Sequence, residues 1–355
     1  MRSKVYFASI NDRDNTEAIK IKFARLLDQS NILDFIHKDN KVAVKLHFGE
    51  EGNTGFVKPE YVRLICDRIT KKDAFAVLTD TNTLYRGRRL DSESHKELAY
   101  EHSFTKKITG APVEIVDDAE GENVLINQKF IKIAKIGKLF RRADAIVGVS
   151  HFKGHLMTGF GGALKNIGMG CALREGKLAQ HSDVAPFVWF KNCVGCSECE
   201  KVCPVGAITI INRKSQIDGK RCIGCVSCIA ACPNDAMDVH WEKGADNIQE
   251  KMVEYAKAAL TGKEEKAAFI NFAIKITKEC DCLAKDDPKI SKDVGIFVSE
   301  DPVSVDKASV DLVNKLCGRD IFRQVHPLRD WSKQLNYAFK IGLGNLDYEL
   351  INVRF

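Results

Sequence analysis

Eight cysteines in two matched runs carry the plainest chemistry of this 355-residue chain. The first run is Cys193-x2-Cys196-x2-Cys199-x3-Cys203-Pro204, and the second is Cys222-x2-Cys225-x2-Cys228-x3-Cys232-Pro233. Each cysteine, and the closing proline, has its counterpart 29 residues on. A cubane iron–sulfur cluster needs four thiolates set tetrahedrally around it. Three cysteines at two-residue gaps wrap one loop around three irons, and the fourth reaches across to the other cluster. The spacing assigns Cys193, Cys196, Cys199 and Cys232 to one [4Fe–4S] cluster. It assigns Cys203, Cys222, Cys225 and Cys228 to a second. Zinc knuckles use two cysteine pairs, not two runs of four closed by proline. Disulfides would need an exported chain, and nothing in the sequence suggests export.

This is the ligand run of two-cluster bacterial ferredoxins. A segment of roughly 50 residues is too small to build a stable apolar core alone. Bound clusters would therefore supply much of its folding energy. Gly195, Gly224, Ala207 and Ala236 are expected to leave room for the cubanes.

A second set of reactive side chains follows apolar runs. Lys45-Leu46-His47-Phe48-Gly49-Glu50 follows one run; Thr79-Asp80-Thr81-Asn82-Thr83, then Tyr85, follow another; His151-Phe152-Lys153-Gly154-His155 follow a third. The Gly-rich stretch 159–170 adds Lys165 and Asn166. In open α/β sheets, ligands bind beyond the carboxyl ends of the strands. If these strands are neighbours, the residues share one rim. Lys45, His47, His151, Lys153 and His155 are then candidate catalytic groups. Thr81, Asn82, Lys165 and Asn166 are candidate cofactor-binding groups. A basic, imidazole-rich rim suits a small anionic ligand such as a carboxylate or phosphate, a proton transfer, or a metal. Each residue also has a plainer reading. His151 and His155 read equally as satisfied structural histidines, Lys45 as a snorkelling lysine, and Glu50 and Glu51 as solvated. The glycine stretch is no Rossmann or Walker fingerprint.

Cys280-Asp281-Cys282 lies just past another apolar run. It is open to three readings: an additional metal site, a redox thiol pair, or structure. Cys66 and Cys317 fall on apolar helix faces and read as core, and Cys171 closes the glycine stretch. Asp301 reads as a helix N-cap, while Asp306, one turn on, could point into the rim.

The elements that must position these groups alternate strand and helix. Strands are expected at Lys4–Ile10, Lys41–Phe48, Ala74–Thr79, Val113–Val116, Phe130–Ile133, Asp144–Ser150, Phe269–Ile276, Val294–Val298 and Tyr348–Val353. Helices are expected at Thr16–Leu27, Pro59–Ile69, Asp91–Phe104, Lys135–Ala143, Ile248–Leu260, Val303–Leu316 and Trp331–Ile341. Pro59 at a first turn, Asp301-Pro302 before a helix and Gly318 after it mark the ends. The pattern predicts an α/β fold with a largely parallel sheet, carrying an inserted two-cluster ferredoxin module (α+β). The α/β domain would comprise 1–187 and 241–355, and the module 188–240. An insertion is plausible because a ferredoxin's ends lie close together. Three parts in series is the other layout.

Composition narrows the class. Hydrophobic content of 45% is ordinary for a globular protein. No apolar run reaches transmembrane length, and Met1–Ile10 lacks a signal-peptide core. A protein without membrane or nucleic-acid partners is expected, in a reducing, anoxic cytoplasm. The net charge of +6 is modest. The basic runs Arg86-Gly-Arg88-Arg89 and Lys138-Leu-Phe-Arg141-Arg142 read as solvated surface, since nucleic-acid binding would want a larger basic stripe with stacking aromatics. They could also dock an acidic, soluble redox partner.

Together these segments resemble the iron–sulfur branch of the family catalogued as domain of unknown function 362. The residues that carry the resemblance are Lys45-Leu-His47-Phe-Gly-Glu50, Asp80-Thr-Asn-Thr83, Ser150-His-Phe-Lys-Gly-His155, Gly161-Gly-Ala-Leu-Lys-Asn166-Ile-Gly-Met-Gly170, Cys280-Asp-Cys282 and Asp301-Pro-Val-Ser-Val-Asp306. The resemblance implies a fold and a layout more than an activity. The Gly-Gly-x-x-Lys stretch with upstream histidines is also similar to the active-site region of lactate racemase-like proteins. There a lysine anchors a nickel pincer cofactor, which on this chain would fall on His151, His155 and Lys165. Three functions follow as expectations. The first is a ferredoxin-linked oxidoreductase whose two clusters relay electrons to a ligand or cofactor at the rim. A flavin there would couple one- and two-electron steps, though no flavin fingerprint is present. The second is a carrier whose α/β part only docks. The third is metal chemistry or assembly at Cys280, Cys282 and the histidines.

Overall fold

The computed structural model describes residues 2–85, 87–116, 119–181, 185–222, 227–239 and 247–354. Cys225, Gly224 and Trp241 lie outside the described residues. Eight strands form the main sheet: β1 (Ser3–Ser9), β2 (Lys41–Lys45), β3 (Phe75–Thr81), β4 (Val113–Val116), β5 (Ala145–His151), β6 (Ala267–Ala273), β7 (Gly295–Ser299) and β8 (Tyr348–Asn352). Their order is β8-β1-β7-β6-β5-β2-β3-β4. Every neighbouring pair is parallel except the two that involve β7. The expected α/β fold with a mostly parallel sheet is therefore present.

Alternation along the strands sends successive side chains to opposite faces. Ala145, Val147 and Val149 of β5 join one core, with Ile270 and Phe272 of β6. Ile146 and Phe269 join the other. On the first face pack α1 (Thr16–Ser30) and α2 (Pro59–Thr70), whose Ile19, Phe23, Val62 and Ile65 are buried there. On the second pack α4 (Ala163–Gly170), α6 (Ile248–Leu260), α7 (Pro302–Cys317) and α8 (Ser332–Lys340). Two further helices, α3 (Ser92–Glu101) and α5 (Arg174–His181), flank the carboxyl end of the sheet.

Local chemistry sets the helix ends. Asn15 and Asp91 accept backbone N–H bonds at the starts of α1 and α3. Asp301 does the same for α7, accepting from Val303 N and Ser304 N, and Gly318 closes α7 in the left-handed region. Asp306 does not reach the rim. It accepts from Ala163 N at 2.7 Å, Leu164 N at 3.0 Å and Asn271 Nδ2 at 2.7 Å, and so holds the first turn of α4.

Two expectations fail locally. Residues 133–137 form a strand, paired with Gly121–Leu125, and helix covers only Lys138–Arg142. Ala134 and Ile136 are buried two apart, a strand period that the apolar run into Leu139 and Phe140 masked. Helix α5 was not anticipated either.

Within the cysteine-rich segment, Phe187–Val188 pairs antiparallel with Met237–Asp238, so the segment enters and leaves side by side. Between them lies the hairpin Ile208–Ile211/Lys214–Ile217. Asn212 and Arg213 take positive φ at its turn, as two-residue hairpin turns require. Gly195 has φ +73°, and a Cβ there would sit 2.6 Å from Arg213 O. That glycine is needed for a turn and a close backbone approach, and it also lines the cavity of Cys193, Cys196, Cys199 and Cys232. Among the described residues, no helix is long and apolar enough to cross a membrane.

Candidate functional site

The carboxyl ends of β5, β2 and β3 are adjacent, so the expected shared rim exists. A cavity of about 740 Å³ opens there, within the size range of small-molecule sites. Lys45, His47, Thr81, His155, Lys165, Asn166, Cys280 and Cys282 line it, together with Glu50, Asp80, Arg89, Lys177 and His181.

Lys45 ends β2 facing α4, where it is 1% exposed. Its ammonium meets Asp80 Oδ1 at 3.0 Å and donates to Asn166 Oδ1 at 2.8 Å and Leu46 O at 3.1 Å. A Cβ on Gly170 would lie 2.3 Å from Lys45 Nζ, so glycine at this position makes the room. Lys45 does not snorkel; it is a buried, fully engaged cation. Asn166 Nδ2 donates to Lys45 O and Val149 O at 3.2 and 3.1 Å, tying the ends of β2 and β5 together. Thr81 Oγ1 donates to Ala172 O at 2.9 Å and accepts from Lys177 Nζ at 2.5 Å. Asn82 is buried but is not on the wall; its carbonyl accepts from Lys177 Nζ at 2.5 Å.

Glu50 and Arg89 correct two surface readings. Arg89 is 2% exposed and Glu50 4%. Arg89 Nε pairs with Glu50 Oε2 at 3.2 Å, and the guanidinium also bonds the Tyr85 hydroxyl. Arg88, by contrast, stays near the surface on Glu101, and Arg86 lies outside the described residues.

Two of the three wall histidines, His47 and His155, are oriented alike. Gly49 N donates to His47 Nδ1 at 3.0 Å. Met157 N and Thr158 N donate to His155 Nδ1 at 3.2 and 3.3 Å. With Nδ1 accepting, the neutral ring carries its proton on Nε2. Burial, with Arg89 near His47 and Lys165 near His155, holds both well below the usual imidazole range, so both are neutral. They are N–H donors, not lone-pair ligands through Nε2. Lys165 reaches the cavity with no hydrogen bond or ion pair among the described residues. Burial, then the charges of Lys153, Lys45 and Arg89, pull its amine down to about 7. Of the four acids on the wall, Asp80 pairs with Lys45 and Glu50 with Arg89, while Glu51 and Glu279 also line it. Its N–H donors suit the oxygen atoms of a polar ligand.

His151 and Lys153 stand behind this wall. His151 Nδ1 meets Asp281 Oδ1 at 2.8 Å, its Nε2 faces Ile274 O at 3.0 Å, and Lys153 Nζ donates to Asp281 Oδ2 at 2.9 Å. Burial alone would raise the Asp281 carboxyl, but His151 and Lys153 outweigh it and hold it well below the usual range. Asp281 O accepts from Glu50 N at 3.0 Å, which fastens the Cys280–Cys282 loop to the rim. Cys280 and Cys282 are joined as a disulfide. Cys66 and Cys171 are buried, and burial pushes each thiol up to about 12.

The cysteine-rich segment holds its own cavity. Cys193, Cys196, Cys199 and Cys232 line it together, three from the first run and one from the second. Backbone N–H groups already point at the sulfurs. Ser215 N donates to Cys193 Sγ at 3.4 Å, Ala236 N to Cys232 Sγ at 3.3 Å and Ala207 N to Cys203 Sγ at 3.1 Å. Backbone N–H groups donate in the same way to metal-bound sulfur. A four-thiol set, two of whose sulfurs accept backbone N–H bonds, fits the chemistry of a cluster ligand set. Among the described residues, however, no three His, Cys, Asp or Glu side chains converge on one point at metal-holding distance. The segment packs on the α/β part through Leu84 and Leu178, which share an apolar cluster with Cys193, Cys199, Cys228 and Cys232. Leu84 also lines the large cavity.

Lys177 and His181 had no assigned role in the sequence, Arg89 was read only as surface charge, and Asp281 stood only between two cysteines. Lys177 and His181 are four apart on α5, a spacing that puts both on one helix face and was the one signal for them.

The model of the family described as Domain of unknown function (DUF362) matches residues 42–311, well over half of the chain. No curated protein matches it. Two solved structures are similar. The lactate racemase apoprotein of Thermoanaerobacterium thermosaccharolyticum is 15% identical, with a TM-score of 0.40 over 77% of this chain and 51% of that one. A protein from Thermotoga maritima is 13% identical, with a TM-score of 0.41 over 86% of this chain and 61% of that one. The chain thus spans about half to three-fifths of the length of the structures it matches.

Proposed function

The chain belongs to the DUF362 family, and from its site we propose an iron–sulfur oxidoreductase of that family's ferredoxin-bearing branch. In this reading Cys193, Cys196, Cys199 and Cys232 hold one [4Fe–4S] cluster, and Cys203, Cys222, Cys225 and Cys228 hold the other. The clusters supply one-electron transfer from a soluble donor protein in the cytoplasm. The rest is the chain's own chemistry. Lys165, with the Nε2–H groups of His47 and His155, binds the anionic end of a ligand. Lys45 and Arg89, each paired to a carboxylate, leave the charge of Lys165 and its N–H neighbours to face the ligand. His155 and Lys165 hold the protons that must accompany electrons into the ligand. Leu84 and the Cys280–Cys282 loop close the cavity on two sides.

One observation carries the reading: four thiols from both runs line one cavity, and Leu84 packs against that cluster while lining the anion pocket. A candidate cluster site and a candidate ligand pocket thus adjoin at Leu84. The test is calorimetric titration of the natively purified protein with inorganic phosphate, wild type against Lys165→Met and His155→Gln. Loss of a charged or charge-assisted donor costs about 1.5–3 kcal/mol, so at least tenfold weaker binding is expected in each. Unchanged binding in both variants would remove the pocket from the account.

A further inference from the structure

We propose that Cys280 and Cys282 form a redox-active disulfide on the wall of the anion pocket and serve as the chain's own two-electron group. The inference rests on the electron-transfer reading only for where the electrons come from.

Four observations converge. Cys280 and Cys282 are bonded, and both line the large cavity. Cys280 is buried and Cys282 is partly exposed, so an incoming thiol or electron donor meets the Cys282 sulfur first. The residue between them is anchored at three points. Its carboxylate sits on His151 and Lys153, and its carbonyl accepts from Glu50 N. That anchoring keeps the two sulfurs together when the bond opens, so it can re-form inside the protein instead of with another molecule. Finally, Leu84 lies on the same cavity and in the apolar cluster of Cys193, Cys199, Cys228 and Cys232.

The chemistry closes on named groups. The disulfide takes two electrons and two protons to become two thiols. The first electron breaks the S–S bond, leaving one thiolate and one thiyl radical; the second converts the thiyl to a second thiolate. The protons enter through the cavity, where His47 and His155 present N–H groups. The reductant is a low-potential one-electron carrier of the iron–sulfur class. A protein that receives electrons singly and delivers them in pairs needs a group that holds two. The sequence has no flavin fingerprint, and this disulfide fills that role without one. It also excludes the pair, while oxidised, from binding a metal.

The experiment uses the full chain purified without oxygen. The protein is equilibrated in buffers spanning reduced to oxidised dithiothreitol and quenched with acid. Free thiols are then alkylated, and the 280–282 peptide is weighed. Cys280 and Cys282 should pass together from unmodified to doubly alkylated, reversibly, in one two-electron step. In anaerobic dithionite titration, the Cys280→Ser/Cys282→Ser variant should take up two electrons fewer per chain than wild type, with iron content unchanged. Independent alkylation of the two cysteines, alkylation under every condition, or no reduction short of unfolding would each overturn the proposal. Iron is measured in the same samples. Clusters present with an inert pair defeats this inference alone. A switching pair without iron defeats the assigned electron source.

Discussion

Lys165 offers a test that needs neither substrate nor partner. Its amine lies on the cavity wall with no hydrogen bond or ion pair among the described residues. Burial comes first, and the neighbouring charges of Lys153, Lys45 and Arg89 follow, to bring it down to about 7. An unperturbed lysine titrates near 10.4 and is neutral in only about 4 molecules per 10,000 at pH 7. Lys165 would be about half neutral there, an advantage of roughly a thousandfold. A weaker base is a weaker nucleophile. If amines follow the slope known for thiols, the net gain in rate is about thirtyfold. The assay is brief acylation of the folded protein at a series of pH values, with each lysine followed by peptide mass spectrometry. Lys165 should label fastest at pH 7, and its rate should level off above a midpoint near 7. Saturating phosphate should suppress that labelling. A Lys165 that labels like the other lysines, with a midpoint near 10, would refute the reasoning. The linkage has a definite sign. Between pH 7 and 10.5 the unfolded chain holds the proton that the folded chain has released. This group's unfavourable contribution is therefore full below pH 7 and fades as pH rises through that window.

Three other outcomes follow from particular contacts. Asp281→Asn leaves the Lys153 ammonium buried without its counter-charge, and should cost about 3–5 kcal/mol in urea denaturation at neutral pH. Because the folded Asp281 carboxyl lies well below its ordinary value, its contribution is present above about pH 4 and is lost as pH falls through the folded value. The variant's deficit should therefore shrink in acid, and a deficit that stays constant with pH would contradict the pairing. Gly168→Ala sets a Cβ 2.2 Å from Met252 O, where α4 crosses α6. Backbone cannot yield as a side chain does, so about 1–3 kcal/mol of stability should go, read as a lower melting temperature; an unchanged melt would contradict that crossing. Cys193→Ser and Cys203→Ser remove ligands from different clusters, and each should lower iron by about four atoms per chain; a full complement in either would break the assignment.

The sheet was largely legible because its strands carry the plainest signals. The Ala-Ile-Val-Gly-Val run of β5 and the Asp301-Pro302 and Gly318 stops of α7 lie within a residue or two of where they were expected, and β2 starts at Lys41 as expected but ends at Lys45, three residues before Phe48. The rim followed from them, since residues just past parallel strands must gather at one edge. What the sequence did not reveal was which polar residues face the cavity and which pair behind it. His151 and Lys153 turn to Asp281, while His47 and His155 keep the cavity side. That division depends on Asp281, which arrives from 130 residues away, and no local pattern announces such a partner. Arg89 and Glu50 were hidden for the same reason. Each looks like surface charge alone, and it is their mutual ion pair, with Tyr85 and Asp80 beside Arg89, that makes burial tolerable. The second constraint on Gly195, Arg213 O, was hidden because it belongs to a hairpin formed 18 residues later.

The central claim is that the eight cysteines hold two cubanes beside an anion pocket. The most direct test is to purify the protein natively without oxygen, denature it, and count iron and acid-labile sulfide per chain while identifying any released organic molecule. About eight irons and eight sulfides are predicted, with no requirement for a flavin. Fewer than about four irons, or zinc in place of iron at the same cysteines, would contradict the account.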